Sequence, residues 1–343
     1  MSNTSSNKSE QPLRVGVIGC GRMGRLHVRV YSQMPGVKVT GVFDESPDAA
    51  AAVANEFAVP PIKSLDELLG RVDAVTIAVP TLFHLALARQ CIERKIACLI
   101  EKPLARDAAE ARQIVDLAQK HKVTVQVGHI ERFNPAIRAL SRLEIKPRYM
   151  EATRISPMTF RGIDVGVVLD MMIHDIDIVL RLADSTVSKI DAVGVSVIGD
   201  VEDICNARLT FASGCVANLT ASRMAMKTER RLRVFSPEAY VSIDYQKRHG
   251  AVIRKHGNIE AVRDAAARIR RGEVQDLSKL NFQDLVHIEN LQIDDVEPLR
   301  AELDAFVEAV NAGSKPVVTA EDGLQAVEVA ARIVQAIGPA SLS

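Results

Sequence analysis

The chain of 343 residues predicts two folds in succession: a doubly wound parallel α/β half, then an α+β half with a large open, mostly antiparallel sheet. Three observations carry this. Short valine- and isoleucine-rich runs alternate with helical patterns from Arg14 to His129. From about Asn134 strand-like runs follow one another directly, with one helix among them. The length exceeds one average domain, and an apolar share of 47 % supplies core for two. The expected division is a flexible polar tail over residues 1–12, a first domain over 13–128 and a second over 129–343. The last helices of the second are free to pack back on the first.

Arg14 to Ile18 reads as a buried parallel strand, followed at once by Gly19, Gly21 and Gly24 in the spacing G-x-G-x-x-G and by a helix from Met23 to Met34. Gly19 permits the tight turn, Gly21 lets the backbone approach a pyrophosphate, and Gly24 lets helix and strand pack closely. The helix N-terminus offers free N–H groups to phosphates. A second strand, Lys38 to Phe43, ends in Asp44, twenty residues after Gly24. An acid there accepts hydrogen bonds from an adenosine ribose and repels a 2′-phosphate, so NAD is favoured over NADP. The competing readings are that Asp44 caps the helix near Ser46-Pro47, and that Arg22 pairs with a 2′-phosphate.

Further along, helices are expected over Ala49–Phe57, Leu65–Leu69, Thr81–Glu93 and Ala108–His121. Strands are expected over Val59–Ile62, Val72–Val79, Ile96–Ile100 and Val123–Val127. Pro80-Thr81, Glu101-Lys102 and Gly128-His129 fall at carboxyl ends of these strands, where such sheets bind ligands, and His84 follows near the start of a helix. In the second half strands are read at Tyr149–Ile155, Lys189–Ile198, Asp203–Phe211, Cys215–Arg223, Arg231–Ser236 and Ala239–Tyr245. Helices are read at Val168–Leu182, Pro298–Asn311 and Ala320–Ile337.

The 43 basic and 43 acidic residues cancel, which argues against a nucleic-acid or acidic-membrane binder. Residues 247–271 hold eight Lys or Arg against two acids, read as a solvated loop and helix surface because no aromatics are interleaved. Five cysteines without a C-x-x-C pair suit buried thiols in a reducing compartment. No apolar leader or membrane-length run is present, so a cytoplasmic protein is expected.

In the helix Val168–Leu182, Asp170, His174 and Asp177 stand at i, i+4 and i+7, a polar stripe on an otherwise apolar helix. It reads as a satisfied core histidine, as part of a metal site, or as a general base oriented by a carboxylate. No further cluster completes a ligand set, so no metal is expected. Lys102 favours the third reading. It follows a buried strand and precedes Pro103, where its ammonium can stabilise alkoxide character on a reacting oxygen. Lys102 and His174 would then face one another across a cleft between the two halves.

GCGRMGRLH, AVPTLFH, EKPLA and the D-x-x-x-H of Asp170 and His174 together resemble the glucose–fructose oxidoreductase/inositol dehydrogenase/MocA family over nearly the full length. The resemblance implies a Rossmann domain followed by an open-sheet α+β domain, NAD(P) as cofactor, and a homodimer or homotetramer built through the open sheet. It maps the family's catalytic lysine onto Lys102 and its aspartate–histidine pair onto Asp170 and His174, and it implies a cis peptide before Pro103. The cofactor set is then Gly19, Gly21, Arg22, Met23, Gly24, Asp44, Pro80, Thr81, His84, Glu101, Lys102 and His129.

The segments Gly128 to Pro135 and Asp164 to Leu169 depart from the commoner family patterns. They resemble those of bacterial members that oxidise the 3-hydroxyl of UDP-N-acetylglucosamine before a partner aminotransferase acts, on the way to lipid A. Arg132, Asn134 and Arg154 are the expected sugar or diphosphate contacts beside Lys102, Asp170 and His174, with a surface ion pair the competing role for Arg132. Which of Lys102 and His174 takes the proton stays open. The other readings are a dehydrogenase of another polyol or sugar (inositol, a UDP-glucuronic acid derivative), a non-catalytic cofactor sensor, and a redox-assisted glycosidase.

Overall fold

The computed structural model describes residues 11–159, 165–255, 259–273 and 286–338. Most of the expected tail, and parts of the basic stretch, lie outside the described residues. The chain forms two compact units, one running to Phe133 and including Val296–Glu328, the other Asn134–Asp295 with the residues from Val329.

The first unit builds β1 (Leu13–Ile18), α1 (Arg22–Tyr31), β2 (Val37–Phe43), α2 (Pro47–Phe57), α3 (Leu65–Leu69), β3 (Ala74–Ile77), α4 (His84–Glu93), β4 (Ala97–Glu101), α5 (Ala108–His121) and β5 (Val125–Gly128). The strands form one parallel sheet in the order β2-β1-β3-β4-β5. Val15, Val17, Ile77, Leu99 and Ile100 are buried, as helix layers on both faces require. Ser46, Ser64 and Asp107 cap α2, α3 and α5 by accepting a backbone N–H. The strand order reverses between β1 and β3, which opens a crevice beyond their carboxyl ends.

The expected strand Val59–Ile62 is an isolated bridge, Val42 to Pro61; its two prolines cannot donate to a ladder. The expected helix from Thr81 begins as a 3-10 turn, Thr81–Phe83, before α4.

In the second unit α6 (Pro135–Ser141) and β6 (Tyr149–Ile155) precede a π turn, Val168–Met172, that runs into α7 (Ile173–Ala183). β7 (Val187–Val195), β8 (Ile204–Phe211), β9 (Val216–Ser222), β10 (Glu229–Phe235), β11 (Ala239–Asp244), β12 (His249–Lys255), α8 (Ile259–Arg270) and β13 (Val286–Asn290) follow. The eight-stranded sheet has the order β13-β12-β11-β10-β6-β9-β8-β7, antiparallel except where β6 meets β9. Alternation buries Met150, Ala152, Leu209, Leu219 and Leu232 on one face and turns Lys189, Asp191, Asn206 and Arg208 outward. The outward side of β7 also exposes Val193 and Val195.

In the basic stretch α8 is the expected helix, whereas β12 is a strand where a loop was expected, and β13 beyond it is a further strand. Their sequences carry too many charges to read as half-buried.

α9 (Pro298–Ala312) and α10 (Ala320–Ile337) close the chain. Leu299, Leu303 and Phe306 of α9 share one core with Leu13, Val28, Tyr31 and Val42 of the first unit. Among the described residues no helix is long and apolar enough to cross a membrane.

Candidate active site

In the first unit the glycine loop is shaped by steric need. Gly19 has φ +94°, and a Cβ there would lie 2.5 Å from the Ala78 carbonyl oxygen; at Gly24 it would lie 1.8 Å from that of Gly19. Around Gly21 nothing lies within 4 Å of such a carbon, so that side of the loop is open to an approaching group. Gly21 caps α1 without a side-chain partner, and the first turn, with Arg22 and Met23, holds no acid, which leaves its N–H groups available to an anion.

Asp44 accepts the Cys20 N–H at 2.7 Å and the Ser46 N–H at 2.8 Å, joining the glycine loop to the end of β2. It thus orders the turn before α2, whose cap is Ser46. Burial, then the Asp44 charge, push the Cys20 thiol up to about 12, so it stays protonated. A Rossmann dinucleotide fits these residues: donors for a pyrophosphate, room at Gly21 and an acid at the ribose position.

At the end of β4 the Lys102–Pro103 peptide is cis, as the resemblance implied. Glu101 stands behind it, bonded to His27 Nε2 at 3.0 Å. Burial would raise the Glu101 carboxyl, but the His27 bond and the Lys102 charge outweigh it and hold it below the ordinary glutamate value. Lys102 itself is half-buried.

Several expected contacts have inward roles instead. His84 is 1 % exposed, its ring nitrogens 3.0 Å from the carbonyls of Val79 and Pro103, with Leu104 at 3.3 Å. Burial lowers its proton affinity, and the ring ties the end of β3 to the Pro103 turn. His129 is fully buried at the end of β5. Pro80 and Thr81 form the exposed turn beyond β3.

Arg132 lies 3.5 Å from Asp322, an ion pair in a largely buried setting. Burial opposes ionisation of Asp322, but Arg132 and Thr319 prevail and keep its carboxyl below the usual range.

In the second unit the π turn carries Asp170 and the first turn of α7 carries His174, both half-buried, while Asp175 and Asp177 are buried. At Asp170 the backbone departs from the regular helix that continues through His174 and Asp177, and such turns recur at functional sites. Its entry is fixed by Glu202, which accepts the Val168 N–H at 3.1 Å. A Cβ at position 166 would lie 2.1 Å from Glu202 Oε1, so a larger residue there would have to displace that carboxylate.

Arg154 makes a buried two-pronged pair with Asp175, at 2.8 and 2.9 Å, and lies over the Tyr245 ring. The guanidinium thereby anchors α7 to β6. Asn134 likewise is buried and caps α6 through the Ala136 N–H at 3.1 Å. Sequence reasoning missed Glu202, and also His27 and Glu302. Glu302 was legible as an acid on the Leu299, Leu303, Phe306 stripe of α9, and His27 as a polar residue beside Val28 and Val30.

The comparisons agree with this geometry. Residues 13–129 match the model of an oxidoreductase family with an NAD-binding Rossmann fold, and residues 147–242 that of the GFO/IDH/MocA C-terminal domain. The chain is 40 % identical over 234 residues to the UDP-N-acetylglucosamine 3-dehydrogenase of Acidithiobacillus ferrooxidans, covering 68 % of this chain and 74 % of that one. A solved structure of UDP-N-acetylglucosamine 3-dehydrogenase GnnA from that organism superposes with a TM-score of 0.85 at 32 % identity, covering 97 % and 99 % of the two chains. The scyllo-inositol 2-dehydrogenase (NAD(+)) of Bacillus subtilis is 27 % identical over 343 residues, 93 % of this chain and 92 % of the other.

Proposed function

The chain belongs to the GFO/IDH/MocA oxidoreductase family, with an NAD-binding Rossmann domain, and from that premise we propose that it oxidises the 3-hydroxyl of UDP-N-acetylglucosamine to a ketone. The observation that carries the substrate is the likeness to the Acidithiobacillus enzyme at 40 % identity, against 27 % for the inositol enzyme. A partner aminotransferase would consume the 3-keto sugar on the way to lipid A.

When bound, the nicotinamide supplies a hydride acceptor. The glycine loop and the α1 N-terminus hold the pyrophosphate, and Asp44 holds the ribose. Lys102 donates a hydrogen bond to the reacting oxygen and steadies negative charge as it develops there. His174 takes the hydroxyl proton, oriented by Asp170.

The second unit would bind the sugar and build a homodimer or homotetramer through the open sheet, and the enzyme would work in the cytoplasm. Purified protein incubated with UDP-N-acetylglucosamine, NAD⁺ and a 3-keto-sugar aminotransferase should form NADH. Absence of NADH with this sugar, alongside turnover of inositol, would replace the substrate.

A further inference from the structure

Behind the Lys102 turn three ionisable side chains from three elements meet inside the first unit. They are His27 of α1, Glu101 of β4 and Glu302 of α9, and one ligand-type atom from each lies within 4.8 Å of the others. His27 and Glu302 are both 0 % exposed. Glu101 has a partner in His27. Neither carboxylate oxygen of Glu302 hydrogen-bonds a protein group among the described residues, and the second ring nitrogen of His27 is equally unpartnered.

The groups around Glu302 are few. Tyr31 of α1 bonds Thr76 of β3 at 3.1 Å, and Gln126 of β5 donates to the Glu302 main-chain carbonyl at 3.0 Å. From the turn Ile130–Phe133, packed against α9, come Glu131 and Arg132, the latter paired with Asp322. From α1, Arg29 reaches Glu297 at the helix start, and Lys102 adjoins Glu101. No arginine or lysine among the described residues is paired with Glu302.

We propose that Glu302 rests as a neutral carboxylic acid, a positioning residue that leaves Glu101 to carry the cluster's single negative charge behind Lys102. An ionised carboxylate without a hydrogen bond or counter-ion is too costly in such a place, and a second negative charge beside Glu101 adds to the cost. Burial and the Glu101 charge both drive the Glu302 carboxyl well above its ordinary value. The neutral acid is the state in which His27 can keep donating to an ionised Glu101, whose charge in turn steadies the Lys102 ammonium. A divalent cation is the competing occupant. The His27 nitrogen nearest the acids, however, already faces Glu101 at hydrogen-bond distance, which suits a proton better than a metal.

The protonation state can be tested apart from the catalytic reading, on which only the Lys102 part rests. Infrared spectra of full-length protein labelled with ¹³C-glutamate should show a carboxylic acid C=O band that disappears in Glu302→Gln.

Unfolding the natural protein above the ordinary glutamate value releases the Glu302 proton, so its stability falls as pH rises, whereas glutamine carries no such penalty. The melting temperature of Glu302→Gln should therefore gain on the natural protein steadily from about pH 5 to 8. In turnover, Glu302→Ala should lose at least about tenfold in kcat and Glu302→Gln should restore most of it, because glutamine mimics the neutral acid. If the alanine variant does not fold, Glu302→Gln against Glu302→Asp carries the comparison, with aspartate too short to keep the contact.

A missing band, a glutamine variant that gains nothing on the natural protein as pH rises, or a stoichiometric metal in the natural protein that Glu302→Gln abolishes would each overturn the proposal. Lack of turnover on every nucleotide sugar would refute the functional reading and leave the spectroscopic and thermal results standing.

Discussion

At the residue scale, Asp44 does two things that separate in a variant. Its carboxylate holds two backbone N–H groups, and on the proposed reading its charge would repel a 2′-phosphate. Asp44→Asn keeps the size, weakens both bonds and removes the repulsion. Charge-assisted bonds of this kind contribute about 1.5–3 kcal/mol, so KM for NAD⁺ should rise roughly tenfold or more. The ratio of kcat/KM for NADP⁺ to that for NAD⁺ should rise as well, and steady-state kinetics with both cofactors measures it.

Lys102→Ala should lower kcat by about a hundredfold or more with little change in NAD⁺ affinity, the pattern expected when a donor acts in the transition state. Stopped-flow turnover with fluorescence titration of NADH checks it. Unchanged turnover would remove Lys102 from the chemistry.

The residues legible in the sequence were those whose job is fixed by chain-local geometry: Gly19 and Gly24 by the tight turn, Asp44 by its place after β2. What Arg154 and His84 touch was not legible, because partners distant in sequence decide it. Asp175 takes up the guanidinium of Arg154, and the carbonyls of Pro103 and Leu104 take up the ring of His84.

At the scale of elements, the alternation of strand and helix made the first sheet readable, since period and turn signals are local. β12 and β13 were not readable, because charged sequences such as His249–Lys255 join a sheet only by pairing with β11 and with each other. α9 was readable as a helix free to pack back on the first unit; its partners in that core were not, because they depend on Phe306 packing with residues almost three hundred positions earlier.

Phe306 is fully buried there, so Phe306→Ala should cost about 3–5 kcal/mol. Chemical denaturation measures this, and a change under about 1 kcal/mol would show that α9 is dispensable to that core. The π turn makes a separate claim. Glu202→Ala removes the acceptor that seats the Val168 N–H, so kcat should fall more than thermal stability, because the turn carries Asp170.

At the scale of the whole molecule, the outward face of the open sheet carries exposed polar and apolar side chains among the described residues. On β7, at the sheet edge, Val193 and Val195 are 53 % and 46 % exposed. Exposed valines in a row on an edge strand favour association with another copy. Val193→Glu with Val195→Glu should shift the sedimentation profile toward the monomer, while the natural protein sediments as a dimer or tetramer. A natural protein that sediments as a monomer at micromolar concentration would withdraw the oligomer.

α9 also bears on how the protein is made. The amino-terminal half leaves the ribosome while the helix that supplies Leu299, Leu303 and Phe306 to its core is still unsynthesised. Domains usually fold in the order they emerge. This one must hold an unfinished interior until α9 has been synthesised, and during that wait the apolar floor meant for α9 is the surface that a chaperone would find.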